Sequence, residues 1–181
     1  MQPLCAKCLV KRPNYDKVIT IFRYNYVIKK IISDLKYQDK FYIAKKIAKI
    51  LAPKINNIIA NDDILVPVPL HFKKLQERRF NQSLLICLEL MNLLNNKPKL
   101  VRDLIFRVKN TKIQAKLRGQ ERLSNVKKAF IINKKYRDLI KDKTIFLLDD
   151  IITTGATVEN CAKILKKKGA KRVVVISLAK T

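Results

Sequence analysis

Thr144-Ile-Phe-Leu-Leu-Asp-Asp-Ile-Ile-Thr-Thr-Gly-Ala-Thr157 decides how this chain is read. Ile145 to Leu148 is an unbroken apolar run, the pattern of a short strand covered on both faces. Asp149 and Asp150 stand where that strand is expected to end. Thr153, Thr154, Gly155, Ala156 and Thr157 then turn into a helix, whose first-turn N–H groups and dipole favour a bound phosphate. Gly155 is expected to let the backbone come close to a ligand. A pair of carboxylates beside such a turn suits a sugar phosphate.

Downstream, Val158 to Lys168 reads as a helix with one apolar face, Gly169 is placed to end it, and Val173 to Leu178 reads as the next strand. Strand, helix and strand in that order predict a right-handed parallel unit with its site at the carboxyl end of the first strand.

Upstream, Asp62-Asp-Ile-Leu-Val-Pro-Val-Pro-Leu-His71 carries a second short strand, Ile64 to Val66. Its two prolines are expected to stop ladder pairing and force a shaped loop of Pro67, Val68, Pro69 and Leu70. Lys73, Lys74, Arg78 and Arg79 follow at once as the basic part of the same loop, then Phe80-Asn-Gln82 opens an apolar helix from Ser83 to about Leu94. Cations beside a helix start suit a diphosphate. His71, the single histidine, has no nucleophile or acid beside it in sequence and reads as part of the loop scaffold.

The first third predicts packing. Val18 to Phe22 reads as a strand. Tyr24, Ile28, Ile31, Ile32 and Leu35 then repeat at helical spacing to about Tyr37. Asp39 is placed to cap a second helix, whose stripe of Ile43, Ile47, Ile50 and Leu51 is expected to stop at Pro53.

Cys5-Ala-Lys-Cys8 has the spacing of half a tetrahedral zinc site, which needs two further ligands. Cys87 falls in register with Leu84, Leu88, Met91 and Leu94, and Cys161 with Val158, Ala162 and Leu165, so both are expected in helix-packing cores. Zn2+ at Cys5 and Cys8 is therefore an incomplete site, not an expected cofactor. Reduced thiols fit the four cysteines better than a disulfide framework.

With 48% hydrophobic residues in 181, the chain has the means to bury a core, and a folded protein is expected. No apolar run is long enough to span a bilayer and the N-terminus lacks a signal-peptide layout, so no membrane insertion and a cytoplasmic location are expected. Forty basic residues against 14 acidic ones give +26, a field that draws in polyanions such as nucleic acid.

The string from the apolar run through Asp149-Asp150 to Thr153-Thr-Gly-Ala-Thr157 resembles the phosphoribosyl diphosphate (PRPP) motif of type I phosphoribosyltransferases. The resemblance implies that Asp149 and Asp150 bind ribose hydroxyls and that Thr153 to Thr157 bind the 5-phosphate. Pro67-Val-Pro-Leu-His71 and Arg78-Arg-Phe-Asn-Gln82 narrow it to the ComF family, similar to that family's Pro-Val-Pro-Leu-His and Arg-Gly-Phe-Asn-Gln stretches. Arg79 stands in place of the glycine, which bears on the shape of that loop. Thr111-Lys-Ile-Gln114, Leu117, Arg122, Asn125, Ala129 and Phe130 resemble a further ComF pattern, in the region where type I phosphoribosyltransferases place a mobile loop.

The resemblance implies an α/β fold with a central, mostly parallel sheet flanked by helices and an N-terminal helical segment. Residues 1–14 then read as a truncated zinc-knuckle-like remnant and 15–181 as a phosphoribosyltransferase-like domain. PRPP or ribose 5-phosphate with Mg2+, single-stranded DNA and a competence helicase are the implied partners. The implied role is assisting uptake of single-stranded DNA in natural competence, with Lys and Arg on phosphates and Phe72 or Phe80 stacking on bases.

The alternative is an active Mg-dependent phosphoribosyltransferase on a nucleobase or related acceptor, with attack at the anomeric carbon and loss of diphosphate. Lys73, Lys74, Arg78 and Arg122 would then offset the departing charge, while no residue identifies itself as nucleophile or general base. A third reading is a regulator that senses PRPP without turnover.

Overall fold

The computed structural model describes residues 12–37, 40–108 and 129–181. In chain order the elements are β1 (Lys17–Arg23), α1 (Tyr26–Tyr37), α2 (Tyr42–Asn56), β2 (Ile64–Pro67), α3 (Phe72–Arg78), α4 (Gln82–Leu93) and β3 (Lys99–Leu100). They continue with β4 (Ile105–Arg107), β5 (Phe130–Ile132), β6 (Thr144–Ile152), α5 (Ala156–Lys166) and β7 (Arg172–Lys180). Five strands form one all-parallel sheet in the order β1-β7-β6-β2-β3, and β4 pairs with β5 antiparallel beside it.

Period-two alternation along β6 explains the layering. Phe146 and Leu148 join Leu35 of α1, Ile47, Leu51 and Ile55 of α2, and Ile86 and Leu90 of α4 in one core. Ile145 and Leu147 face the other way, into a second core with Val158 and Leu165 of α5 and with Leu104 and Ile140. Helices on one face and helix plus ribbon on the other leave the β6 apolar run without access to water, as a strand buried on both sides requires. Cys87 lies in the first core and Cys161 in the second, both fully buried, and burial raises both thiols far above the ordinary range.

Four expectations are corrected. First, β6 runs through Asp149 and Asp150 to Ile152, because β7 continues as its neighbour and pairs Asp149 with Ser177 and Ile152 with Lys180. Second, Pro53 does not end α2, which continues to Asn56. The carbonyl that a proline at 53 leaves without a donor belongs to Lys49, an exposed residue on the solvent side of the helix. Ile50 is exposed instead of part of the stripe, and Ala44, Ala48, Ala52 and Ile55 complete the buried face.

Third, Pro67 belongs to the ladder opposite Leu148, and Val68 N–H still donates to Leu148 O at 2.8 Å. Val68 points its N–H at β6, so the nitrogen of Pro67 points to the β3 side, where the ladder ends with the Val101 N–H donating to Leu65 O at 3.0 Å. Fourth, the basic stretch after Pro69 is not a loop but the short helix α3. The helix expected over 158–168 starts earlier, at Ala156, and Gly169 follows its end at φ 91°, donating to Lys166 O at 3.0 Å. The expected cap at Asp39 lies outside the described residues.

Candidate functional site

Because β2 and β6 are neighbours and parallel, their carboxyl ends open on the same edge of the sheet. The loops that follow them, distant in sequence, therefore start side by side, joined by the Val68 N–H to Leu148 O bond. This is the edge where open α/β sheets bind ligands.

On the β6 side, Thr153 and Thr154 are exposed, and Thr154 Oγ1 accepts weakly from Ala156 N at 3.4 Å. Gly155 adopts φ 75°, a left-handed conformation that a Cβ would strain. A Cβ there would meet nothing closer than Ile152 Cγ2 at 3.9 Å, so the requirement is conformational and not one of space. Asp149, Ile152 and Thr153 to Val158 line one small open recess, with the first-turn N–H groups of α5 at its side.

Adjacent residues of a strand point to opposite faces, and the acidic pair obeys this. Asp150 turns to the helical face, where Lys36 Nζ of α1 meets its Oδ2 at 2.6 Å; the two side chains are 15% and 12% exposed. Asp149 turns to the other face, towards Cys161 and Arg107, and its Oδ1 accepts from Asp150 N at 2.9 Å. Burial, and then the charge of Asp150, push the Asp149 carboxyl well above the usual carboxylate range, against the pull of the Asp150 N–H and Lys36. Only Asp149 of the two lines the recess.

On the β2 side, His71 Nδ1 accepts from Lys73 N at 3.3 Å and so caps α3, in keeping with a scaffold role. Lys73 and Lys74 are exposed on that helix, with no acidic partner among the described residues. Arg78 donates to Gln82 Oε1 at 3.4 Å. Arg79 ends α3 at φ 64°, so the left-handed shape survives where the resembled pattern has glycine. Asn81 clamps the loop to α4: its Oδ1 accepts from Ser83 N and Leu84 N, and its Nδ2 donates to Val68 O at 3.0 Å. Phe80 packs edge-on against Phe41 at 4.8 Å and is engaged, whereas Phe72 is 65% exposed. Pro69 and Leu70 are half-buried.

Two residues absent from the sequence reading belong to this site. Lys36 is one. Arg107 is the other: His71 bridges to it in parallel, its guanidinium lies 5.4 Å from the Phe130 ring centre, and burial lowers its pKa against the opposing charges of Cys161 and Asp149. Neither carried a local motif, because each is brought in by an element remote from both loops. Thr111, Gln114, Arg122, Asn125, Cys5 and Cys8 lie outside the described residues. Among the described residues no group of His, Cys, Asp and Glu is gathered to hold a metal.

A phosphoribosyl transferase domain model matches residues 98–181. Competence protein F of Haemophilus influenzae is 29% identical over 181 residues, covering 97% of this chain and 78% of that protein. Competence protein ComFC of Streptococcus pneumoniae is 29% identical over 164 residues, 88% of this chain and 66% of that protein. The chain resembles these ComF proteins over most of its length. DNA utilization protein YhgH of Escherichia coli K12 is 28% identical over 182 residues, covering 98% of this chain and 78% of that protein.

In fold the chain is similar to type I phosphoribosyltransferases. A hypoxanthine phosphoribosyltransferase from Staphylococcus aureus superposes with a TM-score of 0.50 at 11% identity, covering 78% of this chain and 65% of that one, a little under two thirds of its length. A hypoxanthine-guanine phosphoribosyltransferase from Bacillus anthracis gives 0.50 at 15% identity, covering 78% and 71%. No helix among the described residues is long and apolar enough to cross a membrane.

Proposed function

We propose that the ComF-like chain binds PRPP or ribose 5-phosphate at the carboxyl edge of its sheet and works on single-stranded DNA during natural competence in the cytoplasm. The observation that carries the reading is the pairing of Pro67 with Leu148, which sets the β2 loop beside the β6 loop. The Thr153 to Thr157 turn would take the 5-phosphate, and Lys73 and Lys74 of α3 would take the diphosphate. Asp149, which lines the recess, would take the ribose hydroxyls, whereas Asp150 would first have to be parted from Lys36. The names of the H. influenzae, S. pneumoniae and E. coli relatives support the competence and DNA part of the reading. A helicase is the natural partner for such a role.

A Mg2+ would arrive with the diphosphate and keep several waters, with Asp149 the nearest acidic side chain in the recess. Bound there, it would neutralise diphosphate charge; the chain's own part is to hold the phosphates and orient the ribose.

The test is thermal denaturation of the full chain with PRPP plus Mg2+, ribose 5-phosphate, nucleobases or single-stranded DNA. A ligand at about a hundred times its Kd stabilises by about 2.7 kcal/mol, which is about 5–11 °C for a chain of this size. Shifts with both ribose 5-phosphate and DNA are expected, and silence from every ribose phosphate would sink the site assignment. Diphosphate release with any acceptor would establish the enzymatic alternative, which the phosphoribosyltransferase fold favours.

A further inference from the structure

A groove of about 510 Å³ opens where β1 ends, on the same carboxyl edge of the sheet but two strands away from the β6 loop. Phe22, Arg23, Tyr24 and Lys180 line it, with Thr20 and Ile21 at its floor. Phe22 and Tyr24 are each 37% exposed, and Tyr26, just beyond, is 79% exposed. Among the described residues none of these rings packs on another ring or on a cation. Arg23 and Lys180 are exposed and have no acidic partner there, and no lining residue is acidic. Lys29 and Lys30 follow on α1, also exposed.

Single exposed apolar residues need no explanation, but two aromatic rings lining a groove on either side of a cation, with a third exposed ring two residues on, do. The chemistry that uses both features is a chain of flat π-faces joined by phosphates. We propose that this groove binds single-stranded nucleic acid, with Phe22, Tyr24 and Tyr26 stacking on bases and Arg23 and Lys180 holding phosphates. The proposal rests on the DNA reading above and gives it a place on the molecule.

Three observations narrow the occupant. A duplex keeps its base faces stacked on one another, so it leaves exposed rings without a partner, whereas unpaired bases are free to stack. The groove volume is in the range of small-ligand sites and has room for only one or two nucleotides at a time. Its floor is also tied to the ribose-phosphate side: Tyr24 N donates to Lys180 O at 3.2 Å, and Thr181 N donates to Ile152 O at 3.0 Å, next to the β6 turn. A strand leaving the groove along this edge passes towards the β6 loop.

Fluorescence anisotropy of the full chain with labelled oligo-dT and with a blunt duplex, across a salt series, tests this. Tyr24→Ala with Tyr26→Ala should weaken oligo-dT binding by about tenfold or more, as loss of stacked bases does, and leave the salt slope unchanged. Arg23→Gln with Lys180→Gln should flatten that slope by about 1.4, at about 0.7 per released phosphate contact. Both variants should keep the wild-type melting temperature and its ribose 5-phosphate shift, since neither touches that loop.

Oligo-dT binding that stays within about twofold in both variants would overturn the groove assignment while leaving the DNA reading in place. Absence of any oligo-dT binding by the wild type would overturn both. Equal loss of duplex and oligo-dT binding would assign the surface to charge alone, and a wild-type dimer made monomeric by the aromatic variant would assign it to a second copy of the chain; either result would overturn the proposal.

Discussion

Lys36→Met probes the acidic pair most directly. Lys36 reaches across from the last turn of α1 to Asp150, at 2.6 Å, with both side chains nearly nine-tenths withdrawn from water. Removing one partner of a fully buried pair costs about 3–5 kcal/mol, because the other charge is left desolvated. The residual exposure of 15% and 12% lets water recover part of that, so a loss of about 2–3 kcal/mol is expected. In a chain of this length that lowers Tm by about 4–12 °C. Asp150→Asn in the Lys36→Met background should restore most of the loss, giving a coupling energy of about 2 kcal/mol in a double-mutant cycle followed by urea unfolding. Single-variant losses below about 0.5 kcal/mol, or simple additivity, would refute the view that Lys36 holds Asp150. Restored stability without ribose 5-phosphate binding would then show that Asp150 also serves the ligand.

Two other changes report on the same edge. The folded Asp149 carboxyl keeps its proton up to about pH 8, whereas an unfolded one releases it near about 3.9. The native state thus binds more protons across that window, so this residue's contribution to stability is lost as pH rises through it. Asp149→Asn should gain on the wild type between about pH 5 and about pH 8 in urea unfolding, and a difference flat with pH would contradict the burial argument. Gly155→Ala should cost about 1–2 kcal/mol through its φ of 75° alone, since its Cβ clears Ile152, and should weaken the ribose 5-phosphate shift. Gly155→Asn, whose side chain tolerates the left-handed region, should lose less; a neutral alanine variant would show that the turn relaxes.

Much of the framework was legible because it is local. The Ile145 to Leu148 run, the stripes of α1 and α2 and the glycine after α5 each state their conformation within a few residues. The motif residues of the two loops could be named, but not their neighbours, since sequence cannot say that β2 will lie against β6. Lys36 and Arg107 were missed for that reason: their partners come from other elements remote in sequence, and neither has a local pattern. Pro53 and Pro67 misled because a proline's cost depends on where the missing N–H would point, which is a property of the assembled fold. The opposite facing of Asp149 and Asp150 was within reach of sequence reasoning, had the strand been carried through them.

The pairing of β1 with β7 has a consequence for biosynthesis. Asp16 accepts from Val173 N at 2.7 Å across 157 residues, and among the described residues β1 has no sheet neighbour except β7. A ribosome releases β1, α1 and α2 long before it makes β6 and β7. Their apolar faces, Ile32, Leu35, Ile47 and Leu51 among them, must wait for Phe146, Leu148 and Ile176 to arrive. Closing so long a loop is entropically costly and slow. The sheet therefore cannot close before β6 and β7 have been made, and the apolar faces of α1 and α2 stay uncovered by it in the meantime.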